Sequence, residues 1–388
     1  MFINSFAIKY IELLSLILAH VSCKKKSEIS FPETLNRDLV AINYAKGFSI
    51  EKCASGITII KVFSPWPGAE DGFTYALVPK ELKIVSYPNK KDFDAIINVP
   101  VERIIATSTT HIPALENLGV IDKLVGFPDT RYISSEVTRK KIDKGKITDL
   151  GNNESINTEM AININPDLII GFSINNQNKA YETLQRSNIA LVYNGDWTEE
   201  TPLGKAEWIK FFAPFFSLEE KAEDIFKTTE SNYLAAKDLA MKATNKPTVL
   251  SGALYKDVWY LPGGKSWAAS FINDANADYL WSDTDATGSL SLSVESVLAK
   301  AGNASFWVSP SQFIAYNELD EASRHYSQFK AYKEKKVYTF ANTKGATGGL
   351  LFYELGPARP DLILKDLIYI FHPELLPGHQ LFFFKPLQ

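Results

Sequence analysis

The segment 218–245 places the strongest constraint on how this chain folds. It reads LEEKAEDIFKTTESNYLAAKDLAMKATN and contains neither glycine nor proline. Its apolar residues, among them Ala222, Phe226 and Tyr233, fall roughly on one helical face. At 1.5 Å per residue, a helix of this length is about 40 Å long, enough to run the depth of a domain. We therefore expect one long helix at 218–245, with other elements packed on either side of it.

Short apolar runs alternate with helical segments both before and after this helix. The runs are RIIAT, KLVGF, DLIIGF and ALVYNG on the amino-terminal side, and PTVLSGAL, DVWYLPGG, ASFWVSP and KVYTFANT on the carboxyl-terminal side. Buried strands that alternate with helices are typical of a parallel α/β sheet. The pattern predicts two α/β lobes, residues 99–217 and 246–388.

A different pattern precedes the first lobe. GFSIEK, GITIIKVF and FTYALVPK alternate apolar and polar residues, and SPWPGAEDG interrupts them with a strong turn signal. Residues 40–98 are therefore predicted to form a small antiparallel β-sheet, for which the sequence suggests no function beyond covering the first lobe.

The amino terminus has the features of an export signal. An apolar run from Leu13 to Val21 is too short to span a bilayer, and it ends just before Cys23 and three lysines. It is similar to a lipoprotein signal, which predicts a signal peptide at 1–22, a lipid on Cys23 and a tether at 23–39. Glu12 and His20 depart from the usual pattern, so a signal anchor or an ordinary cleaved signal remains an alternative.

Composition narrows the functional classes. The net charge is −4 and the pI is about 5.9, which argues against a nucleic-acid-binding surface. Cys53 is the one cysteine besides Cys23, so the mature protein has no disulfide framework, and we expect Cys53 to behave as a small buried hydrophobe. The five histidines are scattered along the sequence, and we predict neither a metal site nor a resident cofactor.

A faint internal repeat links the two lobes. INTEMAININPDLIIGFS in the first lobe matches LSVESVLAKAGNASFWVSP in the second. Each copy has a small polar start, a glutamate that opens an amphipathic turn, and a buried strand. The two glutamates are Glu159 and Glu295.

The order and spacing of these phrases resemble those of a known family. STTH after RIIAT, the phrase INPDLIIGFS, the block VLSGALYKDVWYLPGGKSWAASFINDANADYLW and the ending LKDLIYIFHPEL resemble periplasmic substrate-binding proteins of ABC importers for iron-siderophore, haem or cobalamin. The likeness covers residues 99–388. It implies two Rossmann-like lobes joined by a helix, a ligand cleft between them, and a lipid-anchored protein on the periplasmic face of a membrane, in a Gram-negative envelope.

The resemblance also implies roles for particular residues. Glu159 and Glu295 would dock onto arginines of the importer's membrane subunits, although a carboxylate near a helix amino terminus also simply complements the helix dipole. The loop after the first strand would line the cleft with Ser108, Thr109, Thr110 and His111. Its hydroxyls could instead cap the following helix, and His111 is the stronger candidate for ligand contact.

Further candidates for ligand contact lie at predicted strand ends. They are Arg131, Tyr132, Asn194, Trp197, Tyr255, Trp259, Tyr260 and Trp267. Aromatic faces suit bulky, rigid ligands such as metal chelates and macrocycles, and an arginine suits an anionic chelate. Each aromatic residue could equally belong to the core.

The function expected from these features is capture of an iron complex, either a siderophore or haem. A cobalamin-binding protein and a surface glycan-binding lipoprotein are the alternatives. The sequence lacks GxSxG, GxxxxGK[ST], GxGxxG after a strand and HExxH. His111 beside three hydroxyls has no identifiable acid partner or oxyanion hole, so we do not expect an enzyme.

Overall fold

The computed structural model describes residues 37–82 and 88–388. The predicted signal peptide and the lipidation site Cys23 lie outside these residues. Strand β1 (Arg37–Leu39) falls in the last part of the predicted tether. Among the described residues, no helix combines the length and apolar character needed to span a membrane.

The amino-terminal sheet has five strands in the order β1-β2-β3-β4-β5. After β1 these are β2 (Phe48–Cys53), β3 (Thr58–Val62), β4 (Phe73–Pro79) and β5 (Ala95–Val99). The pairs from β1 to β4 are antiparallel, as predicted, whereas β5 runs parallel to β4. Cys53 at the end of β2 is buried, as expected, and burial raises the pKa of its thiol.

Lobe 1 contains a parallel sheet in the order β10-β9-β6-β7-β8. The strands are β6 (Ile104–Ala106), β7 (Leu124–Phe127), β8 (Thr148–Asp149), β9 (Leu168–Gly171) and β10 (Ala190–Tyr193). The helices are α1 (His111–Leu118), α2 (Glu136–Asp143), α3 (Thr158–Ile164) and α4 (Lys179–Arg186). Because the chain begins in the middle at β6 and later returns to β9 on its other side, the strand order reverses there, as in doubly wound folds.

Three helices connect the lobes: α5 (Pro202–Glu207), α6 (Ile209–Phe212) and α7 (Glu219–Ala240). The long helix was predicted at 218–245 and is observed over 22 residues, about 33 Å at 1.5 Å per residue. Its buried residues follow a helical spacing along its whole length. Those near its start join the core of lobe 1, and those near its end join the core of lobe 2.

Lobe 2 contains a sheet in the order β14-β11-β16-β17-β18, parallel except for β18, and a small antiparallel sheet β12-β13-β15. The strands are β11 (Thr248–Ser251), β12 (Ala253–Tyr255), β13 (Val258–Pro262), β14 (Asp278–Tyr279), β15 (Ser289–Leu292), β16 (Phe306–Val308), β17 (Val337–Thr339) and β18 (Lys385–Pro386). The helices are α8 (Trp267–Asp274), α9 (Val294–Ala301), α10 (Tyr316–Ala322), α11 (Lys330–Lys333), α12 (Leu351–Leu355) and α13 (Pro360–Phe371). The predicted architecture, two Rossmann-like lobes, one long helix and a small amino-terminal sheet, is confirmed.

Asp366 of α13 fixes the carboxyl-terminal strand. It is fully buried and accepts hydrogen bonds from the backbone N–H groups of Phe382, Phe383 and Phe384 at distances from 2.7 to 3.1 Å. The Nε2 atom of His379 lies 2.8 Å from the same carboxylate. One buried carboxylate thus turns the chain so that β18 can add to the sheet.

Replacing Asp366 by asparagine should therefore destabilise the protein by roughly 2 to 4 kcal/mol, because an amide cannot accept all four hydrogen bonds and leaves buried N–H groups unpaired. Urea unfolding measures this loss. The exposed carboxylate of Asp143, which is 69% accessible, provides the control, and Asp143→Asn should change stability by less than about 0.5 kcal/mol. Equal effects of the two substitutions would contradict this role of Asp366.

Candidate ligand-binding cleft

The carboxyl ends of parallel strands in the two lobes define the candidate site. Strands β6, β7, β9 and β10 of lobe 1 end in the loops 107–110, 128–135, 172–178 and 194–201. In lobe 2, β11, β16 and β17 end at residues 252, 309–315 and 340–350. Ligands of open α/β sheets bind outside the carboxyl ends of the strands. Contacts between the lobes lie at two places along this edge.

At the first place, lobe 2 lies directly on residues 131–135 of lobe 1. The hydroxyl of Thr347 donates to the backbone oxygen of Arg131 at 2.6 Å. A Cβ at Gly349 would lie 2.2 Å from the backbone oxygen of Tyr132, and one at Gly345 would lie 2.5 Å from Cα of Ser134. Only glycine permits this approach of the two backbones. We call the contact between residues 131–135 and 345–354 the interlobe clasp.

Glu354 of α12 carries the polar part of the clasp. Its side chain is buried and accepts the backbone N–H groups of Ser134 at 2.6 Å and Ser135 at 2.8 Å. Burial raises the pKa of Glu354 to about 7, although the two N–H donors act in the opposite direction. From the neighbouring helices, Glu116 raises this pKa further and Arg139 lowers it.

At the second place, Lys205 of α5 links the loop after β10 to lobe 2. Its Nζ atom donates to the backbone oxygens of Asp196 at 3.0 Å and Trp197 at 2.9 Å. The same atom lies 5.4 Å from the ring centre of Trp267, the first residue of α8. Burial lowers the pKa of Lys205 to about 8, while Asp196 and Glu199 oppose this shift. A cation and an aromatic face thus meet between the lobes.

A small cavity lies beside this contact. It is lined by Thr110, Asp196 and Lys205 from lobe 1 and by Pro357 and Ala358 from lobe 2, and its volume is about 30 Å³. Burial raises the pKa of Asp196, although Lys205 and a hydrogen bond with Thr110 lower it. The cavity has room for about one water molecule.

Several predicted contact residues reach the cleft edge. Arg131 and Tyr132 are exposed, and the Arg131 guanidinium lies 5.0 Å over the Tyr132 ring and donates to its hydroxyl oxygen at 3.4 Å. Trp197 and Trp267 are half-buried, and both contact Lys205, the first through its backbone oxygen and the second through its ring.

The other accessible candidates lie on two separate elements. Ser108, Thr109 and Thr110 are half-buried after β6, where the Ser108 and Thr110 hydroxyls are hydrogen-bonded at 2.9 Å. The α1 amino terminus has no side-chain cap, so the capping alternative does not explain these hydroxyls. Tyr255 and Tyr260 are 67% and 42% exposed on the outer face of the β12-β13-β15 sheet.

His111 does not reach the cleft, contrary to prediction. It is fully buried in the first turn of α1, with its ring 5.4 Å from that of Phe212. Burial lowers its pKa to about 3, which keeps the imidazole neutral. The first turn of α1 directs this side chain into the lobe 1 core rather than toward the loop that precedes it.

Trp259 and Asn194 are also core residues. Trp259 is fully buried against Trp307 and Phe329, and its indole N–H donates to the backbone oxygen of Ser251 at 3.1 Å. Asn194 is 1% exposed and uses its side-chain oxygen to accept the N–H of Asp196 at 2.9 Å. Neither side chain is accessible to a ligand in this structure, because both are packed in the interior.

Two charged and buried side chains at the contacts between the lobes, Glu354 and Lys205, were not singled out from the sequence. Glu354 stands alone in the apolar stretch GGLLFYELG, which is itself an indication that it has a partner, because an unpaired charge in such a place is costly. Lys205 lies in a helix that is buried throughout, and the same argument applies to it. No local signal identifies which backbone these side chains bind.

Glu159 and Glu295 occupy equivalent positions. Each is the second residue of its helix, α3 or α9, and follows a capping residue, Asn157 or Ser293, whose side chain accepts a backbone N–H. Both glutamates are exposed. In the described part of the chain, no three histidine, cysteine or carboxylate side chains lie close enough to hold a metal ion.

The raised pKa of Glu354 predicts a pH dependence of stability. The group has a pKa of about 4.3 when unfolded, so the folded protein binds the proton more tightly, and its stabilising contribution is lost as pH rises from there through about 7. In Glu354→Gln nothing titrates at this position. The unfolding free energy of wild type relative to this variant should therefore fall by about 1 to 3 kcal/mol between about pH 5 and about pH 8.

Urea unfolding across this pH range gives the difference directly, because other titrating groups cancel between the two proteins. Glu321→Gln, at an exposed position of α10, is the control and should show a constant difference. A constant difference for Glu354→Gln as well would contradict a raised pKa at the clasp.

Comparison with known proteins finds an archaeal lipoprotein and a bacterial vitamin B12-binding protein among the relatives of this chain. An uncharacterized lipoprotein of Methanocaldococcus jannaschii is 28% identical over 81% of this chain and 76% of its own length. The vitamin B12-binding protein of Vibrio parahaemolyticus is 26% identical over 49% of this chain and 64% of its own length. Because the first relative is archaeal, the expected Gram-negative envelope is not supported.

Among solved structures, the periplasmic haem-binding protein RhuT of Roseiflexus sp. RS-1 superposes with a TM-score of 0.55 at 18% identity. The match covers 71% of this chain and 99% of that protein. At this identity the likeness concerns the fold alone. It independently supports the two-lobe architecture described above.

The family comparison gives the broadest result. Residues 104–343 match the periplasmic binding protein family, a segment that begins at β6 and ends just before the interlobe clasp residues of lobe 2. Proteins of this family bind solutes and are not enzymes. The match covers more than half of the chain and runs from β6 of lobe 1 through the interlobe helix to β17 of lobe 2, so this chain belongs to the periplasmic binding protein family.

Proposed function

We propose that this solute-binding protein captures an iron complex, a siderophore or haem, between its lobes and delivers it to an ABC importer. The observation that carries the proposal is the exposed Arg131–Tyr132 pair at the cleft edge, held from the opposite lobe by the interlobe clasp. The Trp267 ring lies at the second contact between the lobes, and Trp197 is joined to this contact through its backbone oxygen, which accepts Lys205 Nζ.

The chemistry of the pair favours iron. The Arg131 guanidinium donates to the Tyr132 hydroxyl oxygen, so the cleft edge presents a positive charge and a tyrosine oxygen side by side. Tyrosine oxygen is one of the protein ligands that bind haem iron. The same arginine would neutralise part of the charge of an anionic ferric chelate. Both ligand classes therefore find a suitable first contact here.

The aromatic residues suit the bulk of such ligands. Trp267 is already packed against Phe271 and Phe352 at ring distances of 5.3 and 5.5 Å, so its position is fixed before a ligand arrives. A fixed aromatic face buries ligand area at a low cost in side-chain entropy. We infer that a macrocycle or chelate lies between Trp267 and the Arg131–Tyr132 pair.

Cobalamin is the alternative ligand, supported by the name of the Vibrio parahaemolyticus relative. A corrinoid also needs a wide aromatic cleft. It does not need a tyrosine oxygen, because cobalamin carries its own ligands to the metal. The contribution of the Tyr132 hydroxyl therefore separates the two ligands.

Transfer to the importer is proposed to use Glu159 and Glu295. They occupy the same position of equivalent helices in the two lobes and are exposed, so two widely separated carboxylates are available to arginines of membrane subunits. Two such charge-assisted contacts would fix orientation as well as affinity. The proposed lipid on Cys23 would keep the protein at the outer face of the membrane, as the lipoprotein name of the archaeal relative also suggests.

Replacing Tyr132 by phenylalanine should weaken haem or ferric siderophore binding by about tenfold, roughly 1.4 kcal/mol, and leave cobalamin binding unchanged. Absorbance titration with each ligand measures this and also identifies the ligand. Tyr332→Phe is the matched control, because its hydroxyl donates to Asp320 within lobe 2. Tight cobalamin binding with no effect of Tyr132→Phe would favour the alternative ligand. If the protein binds neither haem, ferric siderophore nor cobalamin, the proposal is rejected.

Replacing both Glu159 and Glu295 by alanine should abolish ligand uptake in cells and leave the dissociation constant of the purified protein within about twofold, since neither side chain takes part in the two contacts between the lobes described above. Uptake of labelled ligand and equilibrium titration measure the two quantities separately. Glu321→Ala removes another exposed glutamate of lobe 2 and should preserve uptake. A weakened ligand affinity in the double variant would assign the two residues to binding or stability instead of docking.

A further inference from the structure

The amino-terminal sheet reaches the cleft edge through one loop. Residues 63–72, which connect β3 to β4, lie against the loop that follows β10. The hydroxyl of Thr198 donates to the backbone oxygen of Ser64, and the indole N–H of Trp197 donates to that of Pro65, both at 3.1 Å. The side chain of Trp197 is thus attached to the amino-terminal sheet.

Glycine at position 195 allows this contact. A Cβ on Gly195 would lie 2.7 Å from the backbone oxygen of Ser64 and 3.1 Å from Cα of Pro65. The first distance is shorter than a side chain tolerates and the second is unusually tight, and the atoms concerned belong to the backbone. The loop 63–72 and the loop after β10 therefore fit together only because residue 195 has no side chain.

The amino-terminal sheet is itself held rigidly on lobe 1. The buried carboxylate of Glu207 accepts the backbone N–H groups of Asn43, Tyr44 and Ala45, and that of Glu199 accepts those of Lys46 and Gly47. These five consecutive donors precede β2 directly. The loop 63–72 is consequently held in a fixed position against lobe 1.

Aromatic packing between Trp66 and the end of β10 also fixes the loop 63–72. Trp66 is 8% exposed and meets the ring of Tyr193 edge-on at 5.2 Å. The backbone N–H of Tyr193 donates to the hydroxyl oxygen of Tyr75 on β4 at 3.0 Å. The end of β10 is therefore covered by the amino-terminal sheet just before the chain reaches Trp197.

The position of Trp197 connects these contacts to ligand binding. Its backbone oxygen accepts Lys205 Nζ, which lies over Trp267 of lobe 2, and its ring lies 5.6 Å from that of Phe172 in the loop after β9. Trp197 as a whole residue is half-buried. Trp197 is held by lobe 1 and by the amino-terminal sheet, and it lies beside lobe 2. Its side chain therefore has little conformational freedom.

We propose that the amino-terminal sheet is part of the ligand-binding apparatus: the carbonyl of Pro65 holds the indole of Trp197 as a fixed wall of the cleft, which makes Trp197 a specificity-determining residue for ring-bearing ligands. The inference rests on the proposed function of the cleft. Its physical basis is pre-organisation, because a side chain ordered before binding loses little entropy when a ligand packs against it. Gly195 is a positioning residue that acts through Trp197.

A double-mutant cycle tests the inference. Trp197→Phe keeps an aromatic ring but cannot donate to Pro65, and Gly195→Ala should push the Pro65 carbonyl away. Each substitution alone should weaken haem binding three- to tenfold, measured by absorbance titration. Because both break the same hydrogen bond, Gly195→Ala should have no further effect in the Trp197→Phe background. Gly288→Ala is the control, since a Cβ there meets no atom within 4 Å, and should change affinity less than twofold.

The outcomes separate the two proposals. If wild type binds haem, a ferric siderophore or cobalamin and the two effects simply add, or Gly195→Ala has no effect, the role of the amino-terminal sheet is wrong while the cleft function stands. If wild type binds none of the three, both are wrong. Thermal unfolding of each variant guards against a general loss of structure, and Trp197→Phe provides a variant that introduces no steric conflict.

Discussion

Helix α7 belongs to two hydrophobic cores at once. Ala222 and Phe226 pack in the core of lobe 1, whereas Tyr233, Ala236 and Ala240 pack in the core of lobe 2. Each large buried side chain contributes about 1.5 to 3 kcal/mol, so a bend in the middle of α7 would have to disturb one core or the other. The lobes are thus expected to move only modestly relative to each other, and the cleft edge is held close to its binding geometry.

Besides the shared helix, buried carboxyl groups hold the parts of the protein together. Glu199 and Glu207 bind the backbone before β2, Glu354 binds the start of α2, and Asp366 binds the backbone before β18. In each case an ionisable group on a helix or loop collects backbone N–H groups from a segment far away in the sequence. A carboxyl group has two oxygen atoms with several lone pairs, so one side chain can accept hydrogen bonds from two or three converging donors. These contacts hold the amino-terminal sheet, the second lobe and the carboxyl terminus in place.

The sequence predicts the architecture well because periodicity is a local property. The long helix, both parallel sheets and the amino-terminal sheet follow from the spacing of apolar residues. The aromatic residues predicted at strand ends are placed less uniformly: Tyr255, Trp259 and Tyr260 lie within strands, and Trp267 begins a helix. The direction of individual side chains was harder to predict. His111 follows a polar loop but begins a helix whose first turn faces inward, and Trp259 lies on β13 beside the exposed Tyr260, where a shift of one residue reverses the face. Glu354 and Lys205 depend on partners from remote segments, which no local pattern reveals.

The attachment of the last strand also bears on the order of folding. Phe383, Phe384 and Leu387 are members of the lobe 2 core, and the backbone of Gln388 exchanges hydrogen bonds with residues 314 and 316. Chains are synthesised from the amino terminus, and domains tend to fold as they emerge. The amino-terminal sheet and the lobe 1 sheet can assemble early, but lobe 2 stays open to solvent until residues 381–388 are present. Its apolar interior is therefore the part of the newly made protein most in need of protection from aggregation.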